Sequence, residues 1–568
     1  MASYQNYETE LFDDLKQMLH ASAERFGDKT LFMEKRGGEY QKWGFRRYCN
    51  DVDALGTALC AKGLAGKRVI VTGENCYHWV LAYMAVICGV GVVVPVDKEI
   101  PAEEMANIAR VCEASAVIFS SKLAEKVAAI DASVERISFD ELDALIPEGK
   151  RLIKQGDRSY LDAEIDPNVL ASLIFTSGTT GVSKGVMLSH RNICFNLSEM
   201  CRMVYIDDKD VFLSVLPLHH TYECTCGFLC QVYRGCTVAF SEGLRHITRN
   251  MQEIHPTMML CVPLLIETMY NKVWANIRKQ KMEKKVRLAI KATNALPNAK
   301  MRLAAKRKVF AEIHKSFGGN LRILISGGAS VDPTVLKGLR DLGIFSVQGY
   351  GLTECAPIAA LNRDTFYNDR SAGMATPNTL LDIYDVQDDG TGEIRYKGDN
   401  IMLGYYNQPE MTAEVIRDGW FYTGDLGYMD DDGFLFITGR KKNVIVTANG
   451  KNIFPEELET YLGRTPFVKE SVVVGYINQK KKDYDIVAII HPDYERAEET
   501  FGKGYTADML DLELKKAVSE VNGIVQSYKR IETFVIRREE FPKNTSRKIK
   551  RAGVADEAYN DYLAKMNG

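Results

Sequence analysis

At 568 residues the chain exceeds what one hydrophobic core organises, so several domains, or one large lobe with a smaller one, are expected. Hydrophobic residues at 46% and charged residues at 26% are an ordinary globular balance, and a net charge of −3 argues against a general nucleic-acid binder. Thirteen scattered cysteines, an odd number, suit reduced thiols in a cytoplasm better than a disulfide framework. Cys224, Cys226 and Cys230 lie close in sequence but lack a fourth nearby ligand, which favours core over zinc. The start, MASYQNYETE, has no apolar core for a signal peptide, and no run of about 18 apolar residues suggests a membrane span.

In chain order, Leu11, Leu15, Met18, Leu19 and Phe26 predict a first amphipathic helix, and Val52, Leu55 and Leu59 a second. Residues 68–72, 92–96 and 116–120 read as buried strands, with helices over 76–89 and 102–114 between them. Strands alternating with helices of this length imply right-handed crossovers and a parallel sheet. Another apolar strand ends at Phe175, followed by the Gly/Ser/Thr-rich stretch 176–185. A second series follows, with strands over 210–217, 237–240, 257–262, 321–326 and 345–348 and a buried helix over 224–233. Residues 272–322 carry fifteen Lys or Arg against Glu283 and Glu312, in helices broken at Pro297. Such a run is usually a solvated face; the alternative is a basic surface for anionic lipid or other phosphates. A small β unit is expected from Tyr384 to Lys397, with its turn at 388–392, and continues through 419–425 and 433–439. After Gly439 the composition shifts to strands over 472–476 and 486–491, a helix over 508–521 and a strand over 533–537. The predicted division is therefore 1–439 and 440–568.

The chemistry centres on Thr176-Ser-Gly-Thr-Thr-Gly-Val-Ser-Lys-Gly185. Small residues let backbone approach a ligand, successive N–H groups can cradle an anion, and hydroxyls with Lys184 add donors and charge. This phosphate cradle is not the Walker A pattern, because Lys184 follows Ser183 and precedes Gly185. Downstream lie Leu216-Pro-Leu-His-His220, Gly327-Gly328-Ala329, Tyr350-Gly-Leu-Thr-Glu354, Tyr422-Thr-Gly-Asp425, Gly439-Arg-Lys-Lys442 and Phe541-Pro-Lys-Asn-Thr-Ser-Arg-Lys548.

Together these motifs, in this order and across essentially the whole chain, resemble the adenylate-forming superfamily, most nearly the bacterial long-chain fatty acyl-CoA synthetases. The resemblance implies an α/β fold: a large N-terminal lobe of parallel and mixed sheets flanked by helices plus a β unit, and a small mobile α+β C-terminal domain. It implies that ATP or AMP meets Thr176, Ser177, Gly178, Thr179, Thr180, Gly181, Lys184, Gly327, Gly328, Ala329, Tyr350, Gly351, Thr353, Asp425, Arg440 and Lys548. By the same resemblance Tyr350 stacks on adenine, Asp425 holds the ribose, and Thr176 and Glu354 hold Mg2+. Lys548, His220 and Lys184 become the catalytic set, and Lys442 the hinge. Arg547 departs from the family, where Gly is commoner, and Cys224 stands where some members have a gating tryptophan.

The implied reaction joins a fatty acid to CoA through an acyl-adenylate, with ATP as co-substrate, in a cytoplasmic ligase with weak contact to anionic membrane. Transfer to a carrier protein is the runner-up, and a non-catalytic adenylate or lipid binder the rival from another class.

Overall fold

The computed structural model describes residues 5–176, 184–449, 451–543, 549–551 and 553–567. Two large sheets flanked by helices build the N-terminal part, giving the expected α/β architecture. A seven-stranded sheet places Gly91–Val96, Lys67–Thr72, Ala116–Phe119 and Glu135–Ser138 in parallel. Its other side carries β1 (Leu170–Thr176), parallel to Gly91–Val96, and then β2 (Lys184–Ser189), antiparallel to β1. The nine-stranded sheet has a parallel centre that includes β3 (Ile323–Ser326) and β4 (Phe345–Gly351). Both central regions are four-residue or longer runs of buried Val, Ile, Leu and Phe, as strands covered on two faces require.

A short strand β5 (Gly404–Tyr405) closes the edge of the first sheet against β2. A separate antiparallel sheet contains β6 (Trp420–Met429) and β7 (Leu435–Arg440), paired with Asp425 opposite Arg440. Beyond it, Val468–Asn478, Asp483–Pro492 and Thr533–Ile536 form a three-stranded sheet with helices Pro455–Leu462, Ala507–Ile524 and Val554–Asn567. Residues from Ile445 onward pack into apolar clusters of their own, around Leu458, Val473, Leu514 and Phe534, and around Val487, Phe541 and Tyr562.

Several sequence expectations shift. The first helix runs Leu15–Phe26 because the Asp14 side chain caps the Gln17 N–H; Leu11 lies before it, exposed. The hairpin Thr30–Arg36/Glu39–Gly44 was not anticipated, since one face of it is charged; its signal is the Gly37-Gly38 turn, both at positive φ. The expected strand 210–217 shortens to Val211–Ser214, because buried Asp210 instead receives Arg322 Nε at 2.8 Å and the Thr257 hydroxyl at 2.6 Å. The helix expected over 224–233 begins earlier, with wide π turns over Tyr222–Leu229 before Cys230–Arg234. Cys224, Cys226 and Cys230 are buried in the main apolar core. The strands expected at 472–476 and 486–491 lengthen until only residues 479–482 join them.

Candidate active site

The phosphate stretch springs from a β hairpin. Thr176 and Lys184 face one another at the ends of β1 and β2, and the Thr176 hydroxyl donates to the Lys184 carbonyl at 3.4 Å. Ser177, Gly178, Thr179, Thr180 and Gly181 lie outside the described residues, as does Lys548. The Lys184 ammonium sits 5.0 Å from the ring centre of Tyr405. Lys543 and Ile549, which bracket Lys548 in sequence, pair across an antiparallel bridge and line the same cleft as Thr176 and Lys184.

At the carboxyl end of β3 the chain turns through Gly327 and Gly328, the latter at φ +89°. A side chain at Gly327 would bring its Cβ within 2.9 Å of the Tyr222 ring, whose hydroxyl donates to the Ile325 carbonyl at 2.9 Å. Glycine here keeps the β3 end against Tyr222. β4 delivers half-buried Tyr350, whose phenol donates to Asp425 Oδ2 at 2.6 Å. Desolvation and the Asp425 charge push that phenol well above the ordinary tyrosine value. Asp425, 4% exposed, also pairs through Oδ1 with Arg440 Nε at 2.7 Å. Glu354 follows β4 on a short turn, its Oε1 accepting from the Tyr405 phenol at 2.9 Å. Lys442 stands on the turn after β7; desolvation, then Arg440 and Lys184, hold its amine below the usual lysine value.

His220 is half-buried on the cleft wall, its ring 4.0 Å from that of His219. His219 is buried with Nε2 3.5 Å from Asp97, and desolvation keeps its imidazole far below the usual value, hence neutral. Glu223 is fully buried and accepts the Ser214 hydroxyl at 2.6 Å. Burial raises its carboxyl to about 8, so it is largely protonated at neutral pH. The cleft that gathers Thr176, Lys184, His220, Gly327, Gly328, Ala329, Tyr350, Gly351, Thr353, Glu354, Arg440 and Lys442 holds about 3520 Å³. That is several times a typical small-ligand pocket of about 300–1,000 Å³, enough for more than one substrate.

The family profile described as AMP-binding enzyme matches residues 19–406, and that described as AMP-binding enzyme C-terminal domain matches 442–567. The chain belongs to the AMP-binding enzymes. Among similar curated proteins, a long-chain-fatty-acid–CoA ligase of Mycobacterium tuberculosis is 29% identical over 566 residues, covering 91% of each chain. Long-chain-fatty-acid–CoA ligase 1 of Homo sapiens is 28% identical over 506 residues, covering 80% of this chain and 70% of its own. In fold, the chain is similar to an anthranilate CoA ligase in complex with anthranoyl-AMP (TM-score 0.76, 18% identity, 98% of each chain). It is likewise similar to ATP-bound MatB from Rhodopseudomonas palustris (TM-score 0.75, 22% identity, 97% of this chain and 99% of that one).

For an AMP-binding enzyme the donor set suits a magnesium nucleotide. Mg2+ takes hard oxygen ligands, one or two carboxylates plus phosphates. Among the described residues no lysine, arginine or histidine pairs with Glu354, and the Thr353 hydroxyl is its neighbour in the cleft. Sequence reasoning missed Tyr405, which touches both Lys184 and Glu354, because a tyrosine outside a recognised motif gives no signal of its chemistry. Arg551, beyond the Lys548 motif, pairs with Glu459 at 2.6 Å, and both line the cleft.

The Glu223 carboxyl sets a pH test. Its folded pKa lies above the unfolded value, so the folded state holds the extra proton, and stability falls as pH rises from about 4.5 to about 8. Glu223→Gln removes this titration. Relative to wild type the variant should gain stability across that window, at most about 1.4 kcal/mol per pH unit. Thermal melts of both proteins at several pH values check this; a constant difference in melting temperature contradicts it.

Proposed function

We propose that this protein is an ATP-dependent acid–thiol ligase that activates a fatty acid, of long chain, as its acyl-adenylate and passes the acyl group to CoA. The observation that carries the reading is the convergence of Lys184, His220, Tyr350, Glu354, Arg440 and Lys442 on one cleft with the residues that bracket Lys548. The named relatives act on long-chain fatty acids and CoA, which supports the substrate class.

In the first step an acyl carboxylate oxygen attacks the α-phosphorus of ATP, the bond to the β-phosphate oxygen breaks and pyrophosphate leaves. Two anions must meet, so catalysis rests on cations and donors positioned before the charge develops. Ser177, Gly178, Thr179, Thr180 and Gly181 cradle phosphates, with Lys184 as a point charge. Tyr350 packs against adenine, with Gly327, Gly328, Ala329 and Gly351 giving the backbone room. Asp425 accepts the ribose hydroxyls, with Arg440 beside it. Thr176 and Glu354 hold Mg2+, which when bound neutralises phosphate charge; Thr353 contacts phosphate. Lys548 reaches the α-phosphate and the carboxylate, and His220 lines the acyl side. In the second step the CoA sulfur attacks the acyl carbonyl, the bond to AMP breaks and the thiol proton is released. Residues 440–568 turn about Lys442 between the two steps, exposing a different face to the cleft.

The neutral, buried Glu223 supports an unsubstituted acyl chain over an amino acid, since it supplies no carboxylate at neutral pH to pair with an amine. The protein acts in the cytoplasm with reversible attachment to anionic membrane, and among its described residues no helix is long and apolar enough to cross one. Supporting attachment, helices Glu283–Asn294 and Ala299–Val309 combine basic residues with exposed Leu288, Met301, Leu303 and Val309. Five of the fifteen bases are engaged in the fold: Arg287 on Glu283, Arg302 on the Leu296 carbonyl, Lys306 on the Arg340 carbonyl, Arg307 on the Leu321 carbonyl and Arg322 on Asp210.

With ATP, Mg2+, a long-chain acid and CoA alone, thioester should form without any carrier protein. Lys548→Ala should cut pyrophosphate release by orders of magnitude yet leave thioester formation from synthetic acyl-adenylate near wild type. Lys442→Pro, with φ fixed, should do the reverse. Both half-reactions are assayed separately; equal loss of both in either variant contradicts that lysine's role, and turnover that needs an added carrier protein contradicts the acceptor.

On membranes, each lysine or arginine near an anionic surface contributes roughly 1 kcal/mol, so binding should be salt-sensitive. Co-sedimentation with phosphatidylglycerol-containing vesicles should fall sharply between low and high salt. Absent or salt-independent binding contradicts the attachment.

A further inference from the structure

Lys184 begins β2 of the seven-stranded sheet and Glu354 lies on the turn after β4 of the nine-stranded one, and one short segment, 402–406, touches both. The Met402 N–H donates to the Glu354 carbonyl at 2.8 Å, the Leu403 N–H to Met187 at 2.9 Å, and the Tyr406 N–H to Gly185 at 2.7 Å. Those bonds strap the segment to β2 on one side and to the Glu354 turn on the other. Between them Tyr405 meets the two charged side chains themselves: its phenol donates to Glu354 Oε1 at 2.9 Å, and its ring lies under the Lys184 ammonium, 5.0 Å from centre to nitrogen.

Tyr405 is itself held firmly. It is 5% exposed, and its N–H donates to the Thr412 hydroxyl at 2.8 Å, which in turn donates to the Gln408 carbonyl at 2.9 Å. Gly404 makes this seating possible. Its φ is +140°, and a Cβ there would come within 2.7 Å of the Thr412 methyl.

We propose that Tyr405 is a positioning residue that orients the magnesium carboxylate and the phosphate lysine together while keeping them apart, an inference that rests on the roles given above to Glu354 and Lys184. Tyr405 is neutral and offers opposite surfaces to opposite charges. Its hydroxyl satisfies one carboxylate oxygen without bringing a cation, so Glu354 keeps its full negative charge for the metal. Its electron-rich face holds the ammonium without an anion, so Lys184 keeps its full positive charge for phosphate. Among the described residues Lys184 and Glu354 form no ion pair with each other, which a direct contact between them would invite. A hydrogen-bonded partner behind a metal ligand commonly changes metal affinity by about 10–100-fold.

The test reads binding rather than turnover. Affinity for ATP is measured by calorimetry without fatty acid, across a Mg2+ titration and in EDTA. Y405F keeps the ring and removes the hydroxyl. It should shift the Mg2+ dependence of ATP binding to about tenfold higher Mg2+, with EDTA-state affinity and melting temperature near wild type. Y405L removes the ring as well and should also lose EDTA-state affinity severalfold. Y405F alone decides the hydroxyl's role even where Y405L does not fold. A Y405F titration that overlays wild type overturns the proposal, as does an equal loss with and without Mg2+, the mark of a merely structural residue. E354Q separates the two levels: if it too leaves the Mg2+ dependence unchanged, the assignment of Glu354 falls and the proposal with it. If E354Q abolishes the dependence and Y405F does not shift it, only the proposal falls.

Discussion

A buried carboxylate must be satisfied on the spot, and Asp425 is satisfied from two directions, by the Tyr350 phenol and the Arg440 guanidinium. The three residues come from three strands in two sheets: β4 of the nine-stranded sheet, and β6 and β7 of the antiparallel one. One contact therefore fixes the wall of the cleft against its floor. It also fixes where the chain leaves that floor, because Arg440 ends β7 and Lys441–Asn443 turns at once toward the C-terminal elements. The site's geometry and the departure point of the C-terminal region are set by the same buried charge.

The rest of the cleft follows a related economy of charge. Lys184, Arg440 and Lys442 crowd one side, and desolvation with mutual repulsion depresses the Lys442 amine. Along the wall that carries His219 and Glu223, two titratable groups are held neutral: His219 by desolvation, Glu223 by burial. Under the proposed function, the charged side would meet phosphates and the neutral side an apolar chain. The approaching carboxylate is the one part of such an acid that belongs on the charged side.

Much of this was legible in the sequence, for reasons that differ by element. The parallel strands announced themselves as short apolar runs between helices, and the phosphate hairpin as an apolar strand breaking into Gly, Ser and Thr. Motif resemblance named Asp425, Tyr350 and Glu354, but not that Tyr350 and Asp425 bond to each other, because pairing across sheets leaves no trace in local spacing. The hairpin over 30–44 escaped because its exposed charges mask the alternation, leaving the Gly37-Gly38 turn as its signal. Tyr405 escaped for a deeper reason. Its partner Glu354 is 51 residues away, Lys184 lies on a paired strand far off in sequence, and a neutral ring becomes functional chemistry once both charges are seen around it.

The central claim is that this cleft brings a carboxylate to the α-phosphate of ATP, and isotope transfer tests it most directly. A long-chain fatty acid labelled with heavy oxygen in its carboxylate is turned over with ATP, Mg2+ and CoA, and the products are weighed by mass spectrometry. Attack by the acid on phosphorus predicts one heavy oxygen in each AMP released, with a thioester that has lost one. AMP that carries no label, or ADP in place of AMP, would contradict the account.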